Sequence, residues 1–223
     1  MFSLISLIRS GQTLEAVIFI LSGCFVVFVC SPVHELAHGY AAYKLGDNTA
    51  KNQGRLTFNP IAHIDPIGMI MILVFGFGYA KPVPVNPRNF KNQKGGMALT
   101  ALAGPVSNLI MAFVSIFIYY LLSAVLTSYN LFTALLLNFF YFSAYINVSL
   151  GVFNLIPIPP LDGSKILASV LPDRIYYKYM MYERYVMIAL MVILFTGVLN
   201  RFISFLSSYM MEFISFIPRL IFT

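Results

Sequence analysis

The feature that most constrains the fold is an H-E-L-A-H motif at residues 34–38, near the end of a long apolar run from Leu14 to Leu45. A run of this length is sufficient for a transmembrane helix. Ionisable side chains at membrane depth are energetically expensive, so they mark candidate functional sites. Positions i and i+4 share one face of a helix, so His34 and His38 can bind a common atom. Two imidazoles at this spacing suit Zn²⁺, with Glu35 beside them as a general base.

The composition indicates one membrane domain. The 223 residues are 59% hydrophobic and only 10% charged, which excludes an ordinary soluble protein. We expect a single transmembrane domain over residues 1–223, with a core of about 14–171 and C-terminal helices in 173–223. The net charge is +6, but the basic residues are scattered between apolar runs. They therefore predict membrane topology and a lipid bilayer as partner, not nucleic-acid binding.

The apolar runs predict an all-α polytopic membrane protein with about four to six transmembrane helices around an intramembrane zinc site. The expected spans are 14–45, 95–126 and 131–154, and a last span starts in 185–199, with the apolar tail 202–223 left unplaced. Pro32 can kink the first span just before the motif. A short helix is expected at 164–171.

Residues 63–90 predict a re-entrant segment followed by a hairpin-like loop. The apolar stretch 67–80 is short for a crossing, and the prolines in 81–87 favour extended or looped backbone. Irregular backbone at membrane depth is tolerated against protein or a water-filled cavity. This loop is therefore expected to line a hydrated site.

The distribution of basic residues predicts the orientation. If 63–80 dips in and returns, three basic residues, Arg9, Arg201 and Arg219, lie on one face. The other face carries Lys44, Lys51, Arg55, Lys81, Arg88, Lys91, Lys94, Lys165, Arg174, Lys178 and Arg184. The richer face is expected to be cytoplasmic, with the two histidines nearer to it.

A catalytic zinc usually has three protein ligands and one open position. The favoured third ligand is Asp162, because a carboxylate after a proline-rich break has little other reason to follow a transmembrane span. Its alternative role is to cap the helix at 164–171. Asp65, Asp47 and His63 remain rival ligands.

Two further roles follow from the chemistry of peptide hydrolysis. Glu35 is expected to take a proton from the attacking water and pass it to the leaving amine. Asn154 is the intramembrane amide closest in sequence to Asp162, so it is a candidate donor to the oxyanion. Its alternative role is a hydrogen bond between helices.

These motifs together resemble the site-2 protease family, in its compact prokaryotic form. The resemblance covers about residues 20–170 and depends on the H-E-L-A-H motif, on G-P-V-S-N at 104–108 and on N-L-I-P at 154–157 with L-D-G at 161–163. The segments 59–68 and 80–86 also resemble compact members.

The resemblance implies an intramembrane zinc metalloprotease in the plasma membrane of a prokaryote, with one Zn²⁺ per chain and a catalytic Glu35. The implied zinc ligands are His34, His38 and Asp162, and Asn154 matches an asparagine that acts on substrate or intermediate. The family also implies a core of three helices around the zinc. The loop at 78–90 matches an element that holds substrate as an added strand.

The predicted substrate is a membrane protein cut in or near a transmembrane segment. A homo-oligomer or a regulatory membrane partner stays open. One alternative is a catalytically inactive zinc-containing scaffold or regulatory subunit, against which Glu35 argues. A metal transporter is another, but it would favour more intramembrane His, Asp and Glu along a path.

Overall fold

The computed structural model describes residues 4–63, 65, 81–126, 128, 130–172, 174–175 and 181–222. Within these ranges the chain is helical and contains no strand. Four helices are long and apolar enough to cross a membrane, namely Thr13–Lys44, Gln93–Val125, Leu131–Asn154 and Arg201–Phe222. The prediction of an all-α, multi-pass membrane protein is therefore confirmed.

We number the helices in chain order. They are α1 (Leu4–Arg9), α2 (Thr13–Phe25), α3 (Ser31–Lys44), α4 (Thr49–Asn52), α5 (Gln93–Val125), α6 (Leu131–Asn154), α7 (Asp162–Val170), α8 (Glu183–Thr196) and α9 (Val198–Phe222). A π-helical stretch, Val26–Cys30, joins α2 to α3, so the three together make the first span. Pro32 has no N–H to donate to the turn before it, which favours this wider turn just ahead of the motif.

Helix α5 is the centre of the fold, because it packs against α3, α6, α7 and α9. Its contact with α6 and α9 buries apolar side chains, and the two alanines among them let the helices approach closely in a membrane. The buried cluster comprises Ala112, Ile116, Ala144, Val148, Val152 and Met211. Asn147 donates from Nδ2 to Ser143 O at 2.9 Å and to Cys30 Sγ at 3.3 Å, which ties α6 to the π-helical stretch.

The turn after α6 leads directly into α7. The expected short helix begins at Asp162, two residues earlier than predicted, and it has no side-chain capping hydrogen bond. The capping alternative for Asp162 is therefore not what the structure shows. The carboxylate is instead free to face α3.

The C-terminal helices differ from the expected layout. The 14 residues of α8 extend about 21 Å, which is short of the roughly 30 Å hydrocarbon core. Leu199, at the start of α9, packs with Leu161 and Leu190 near the Asp162 end of the bundle. At the other end of α9, Arg219 Nε lies 3.4 Å from the Tyr120 hydroxyl of α5.

Arg201 and Arg219 therefore lie at opposite ends of α9. The expectation that they share a membrane face was wrong, because hydropathy gives the length of a helix but not its direction. Arg201 joins the end of the bundle that carries Asp162. The excess of basic residues at the end of the bundle that carries Asp162 is therefore larger than the sequence analysis predicted.

The described part of the predicted re-entrant loop is not helical before residue 87. Residues 81–86 have no regular secondary structure, and one 3-10 turn follows at Pro87–Asn89. The expected dip into the membrane falls on 63–80, which lies mostly outside the described residues. Its crossing stays a prediction.

Candidate metal centre

The structure brings together the three side chains predicted to hold zinc. Nε2 of His34 lies 3.0 Å from Nε2 of His38. Oδ2 of Asp162 lies 3.3 Å from the first nitrogen and 3.1 Å from the second. Each of the three residues is less than a tenth exposed. The three ligand atoms thus form a nearly equilateral triangle in the protein interior.

The dimensions of this triangle fit a tetrahedral zinc site. With bonds of about 2.0–2.1 Å, two ligands of a tetrahedral ion lie about 3.3 Å apart. Two imidazoles and one carboxylate are also a donor set that zinc accepts with a fourth position open. The residues present therefore fit the metal, and their role as its ligands stays a prediction.

Two further contacts orient the ligands. Nδ1 of His38 donates to the backbone carbonyl of Thr100 at 2.7 Å, which leaves Nε2 as the unprotonated nitrogen. Oδ1 of Asp162 lies 3.3 Å from Nζ of Lys165, so the lysine engages the oxygen that faces away from the triangle. Nδ1 of His34 has no such acceptor within the described part of the chain.

Helix α5 reaches the histidines because position 104 is glycine. A methyl group there would overlap Nε2 and Cε1 of His38 and would lie 2.6 Å from Cε1 of His34. Any larger residue would therefore displace the imidazoles. Gly104 allows the backbone of α5 to form one wall of the centre.

The predicted general base is adjacent to this triangle. Glu35 is 8% exposed, and its Oε2 accepts a hydrogen bond from the backbone N–H of Val83 at 2.9 Å. The carboxylate is thus held by the non-helical segment 81–86. The hydrogen bond fixes where this carboxylate lies, and a fixed position within reach of the proton is the first requirement of a general base.

The remaining candidates are Asn154 and the three rival ligands. Asn154 is the partly exposed last residue of α6 and precedes the turn that leads to Asp162, so its action on substrate stays a prediction. Among the rival ligands, Asp47 binds Thr49, Asn86 and Asn89, and His63 Nε2 lies 2.8 Å from Thr57 O. Neither these two nor Asp65 belongs to the cluster of potential metal ligands in the described chain.

Sequence reasoning predicted no role at the metal centre for Thr100, Gly104, Lys165 or Val83. Thr100 and Val83 act through backbone atoms, which leave no signal in the side-chain pattern. Gly104 did leave a signal in the sequence, because a glycine inside an apolar helix indicates a close approach of another group. The lysine lies three residues after Asp162, a spacing at which helical side chains meet.

Comparisons with known proteins point to one family. Residues 123–199 match the family model described as Peptidase family M50, a match that includes Asn154 and Asp162. YwhC of Bacillus subtilis, whose name is that of a zinc metalloprotease, is 46% identical over 171 residues, covering 76% of this chain and 78% of YwhC.

More distant relatives carry the same kind of name. Rip2 of Mycolicibacterium smegmatis is 25% identical over 76% of this chain and 64% of its own length. Zinc metalloprotease MJ0392 of Methanocaldococcus jannaschii is 26% identical over 76% of this chain and 39% of its own length. No solved structure gave a significant match. The chain belongs to peptidase family M50, the site-2 protease family, and is a zinc metalloprotease built as a multi-pass membrane protein.

Proposed function

We propose that this protease cuts a peptide bond in or near a transmembrane segment of another membrane protein. The observation that carries this proposal is the buried triangle of His34, His38 and Asp162 among helices that can span a bilayer. A substrate must reach this triangle from the lipid or from a cavity between the helices. A segment that itself lies in the membrane is the substrate suited to that access.

The proposed chemistry assigns one role to each group. One zinc ion per chain would be held by His34, His38 and Asp162 and would supply Lewis-acid chemistry, polarising the scissile carbonyl and acidifying water. Glu35 takes the proton of the attacking water and later gives it to the leaving amine. Asn154 donates a hydrogen bond to the oxyanion that develops on the carbonyl.

We also propose that the centre lies in the plasma membrane nearer its cytoplasmic side. At 1.5 Å per residue, Gly104 is about 17 Å from the start of α5 at Gln93 and about 32 Å from its end at Val125. The nearer end carries the basic loops. Arg55 Nη2 donates to Lys81 O at 2.8 Å there, and Lys94 Nζ donates to Leu171 O at 2.8 Å.

The inactive-scaffold alternative is less well supported. A structural zinc site is usually closed by four protein ligands, whereas the described residues offer three at this centre. A scaffold would also have no use for a carboxylate beside the ligands. The placement of Glu35, held by Val83, favours catalysis.

The test is a comparison of membrane proteomes from cells that carry the wild type or Glu35→Gln. A membrane protein should accumulate uncut with the variant, its membrane fragment should disappear, and purified variant should keep one zinc per chain. The matched control is Glu15→Gln, which changes an acid near the other end of the same span. Identical proteomes for the wild type and Glu35→Gln would contradict the proposal.

A cysteine pair tests the orientation. In a Cys24→Ser background, Gln53→Cys lies in an exposed loop near the basic end, and Ser128→Cys lies in the exposed connection between α5 and α6. A membrane-impermeant maleimide added to intact cells should label position 128 and spare position 53. The reverse pattern would place the centre nearer the outer surface.

A further inference from the structure

Asp47 is a fully buried carboxylate that the proposed chemistry does not use. It follows the end of α3, outside the metal centre. Burying an ionised carboxylate is strongly unfavourable unless hydrogen bonds compensate for the lost water. Its Oδ1 accepts from Thr49 N–H at 3.0 Å, from the Thr49 hydroxyl and from Asn89 Nδ2 at 2.7 Å. Its Oδ2 accepts from Asn86 N–H at 2.7 Å.

Two of these donors lie at the C-terminal end of the segment that holds Glu35, since Asn86 is its last residue and Asn89 belongs to the turn that follows. Residues 81–86 have no regular secondary structure, and prolines at positions 82 and 84 leave two of the six without an N–H to donate. The segment therefore depends on anchors at its two ends. At one end Lys81 N–H donates to His63 O at 2.8 Å, and at the other Asp47 binds Asn86 and Asn89.

Val83 lies between these anchors. Its N–H donates to Glu35 Oε2, and its side chain packs so closely on α3 that a methyl group at Gly39 would lie 3.0 Å from Val83 Cγ1. The position of the Glu35 carboxylate thus depends on how the segment is seated. The seating in turn depends on the contacts that Asp47 makes.

We propose that Asp47 is a positioning residue: it anchors Asn86 and Asn89, and so seats the segment whose Val83 N–H fixes the carboxylate of Glu35. This inference rests on the proposed role of Glu35 as general base. Asp47 touches neither the metal ligands nor the base itself. Its effect on the reaction passes through the backbone of residues 83–86.

Loss of the Asp47 anchor should lower the turnover number of the enzyme. A general base that is misplaced by about 1 Å can lose on the order of 100-fold in rate. Glu35 moves a proton and does not hold the substrate in this mechanism, so its misplacement lowers kcat and leaves KM nearly unchanged. The metal ligands keep their own contacts, so zinc content also stays the same.

The first experiment measures the seating without any substrate. Val83 is 8% exposed, so in a Cys24→Ser background the variant Val83→Cys should react slowly with a maleimide in detergent. Cys30 is fully buried and serves as the internal reference. Adding Asp47→Ala should raise the labelling rate at position 83 by tenfold or more. An unchanged rate would overturn the proposed anchor.

The second experiment compares two alanine substitutions in the 3-10 turn Pro87–Asn89. Asn89→Ala removes the side-chain donor to Asp47, whereas the control Arg88→Ala removes an exposed side chain and leaves the Arg88 N–H bond to Asn86 Oδ1 in place. Kinetics are measured on the quenched transmembrane peptide that the wild type cuts fastest in a panel. Asn89→Ala should lower kcat at least tenfold with KM within twofold, and Arg88→Ala should stay within twofold of wild type.

A second labelling variant keeps the test valid if Asp47→Ala folds poorly. Asn89→Ala in the Val83→Cys background removes one donor to Asp47 and leaves those from Thr49 and Asn86 in place, so the labelling rate at position 83 should still rise. An unchanged labelling rate, an equal kinetic loss with Arg88→Ala, a change in KM alone, or zinc loss in Asn89→Ala would overturn the proposal. Failure of the proposed function is separate, because it appears as equal turnover by the wild type and Glu35→Gln while the labelling result still stands.

Discussion

Gly104 of α5 lies directly against the imidazole of His38, with no room between them for a methyl group. The contact joins the second long span to the helix that carries the metal-binding motif. It places the Thr100 carbonyl, one helical turn earlier, within 2.7 Å of His38 Nδ1. Gly104 therefore sets the distance between α5 and His38 and, by placing Thr100 O against Nδ1, the tautomer of this predicted ligand.

Gly104→Ala should reduce zinc binding. The added methyl group would overlap His38 and approach His34, so the two nitrogens should be driven out of the geometry that suits the ion. Mutating a residue that orients a metal ligand typically lowers metal affinity by roughly 10–100-fold, and we expect Gly104→Ala to lower zinc affinity by at least that much. Zinc content of purified protein, titrated with a competing chelator, measures the effect.

The control for that substitution is Gly23→Ala in α2. A methyl group at Gly23 meets nothing within 4 Å, so the same change in the first span should leave zinc affinity unaltered. Full zinc affinity in Gly104→Ala would mean that α5 can move away from the histidines. The close contact would then have no role in forming the centre.

Two neighbouring residues, Asp162 and Lys165, should differ widely in their effect on zinc. Asp162→Ala removes an oxygen of the triangle and should lower zinc affinity by more than about 100-fold, beyond the usual effect of changing a residue that only orients a ligand. The Lys165 side chain is 42% exposed, and exposed ion pairs contribute about 0.2–1 kcal/mol. Lys165→Met should therefore lower the affinity by less than tenfold.

The matched control for Asp162→Ala is Asp47→Ala, because it also removes a buried carboxylate, but one that lies outside the metal cluster. Its zinc affinity should equal that of the wild type. A weaker effect from Asp162→Ala than from Lys165→Met would move the third ligand to another residue. Isothermal titration in detergent distinguishes these outcomes.

The sequence predicts the parts of this protein that depend on spacing and hydropathy. The i, i+4 histidines, the carboxylate after the proline-rich break and the spans of α5 and α6 all follow from local pattern. Contacts made by backbone atoms, such as Thr100 O and Val83 N, do not, since any residue type supplies them. The direction of α9 also depends on tertiary packing against α5, which no local pattern encodes.

Removal of the metal should destabilise the wild type. A ligand at 1,000 times its Kd stabilises the native state by about 4 kcal/mol, so a chelator should lower the Tm by several degrees. Restoring zinc should recover it. Asp162→Ala should show no chelator-dependent change in Tm, since its triangle is already incomplete. An equal change in both proteins would mean that the stabilising metal binds elsewhere.

Asp47 should stabilise the protein in a pH-dependent way. Burial alone would raise the pKa of the Asp47 carboxyl, but hydrogen bonds from Thr49, Asn86 and Asn89 outweigh it and hold the pKa below its usual range. A carboxyl with a depressed folded-state pKa contributes stability that is fully present above its unfolded pKa of about 3.9. That contribution is lost as the pH falls through the lower folded-state pKa.

The Tm of Asp47→Asn should therefore lie below that of the wild type by a constant amount from pH 7 to pH 5, and the difference should narrow below about pH 4. Differential scanning fluorimetry in detergent measures both proteins across this range, with Thr49→Val as a variant that keeps the carboxylate. A difference that widens on acidification would mean that Asp47 is protonated in the folded protein, and the anchoring of Asn86 and Asn89 by an ionised carboxylate would have to be abandoned.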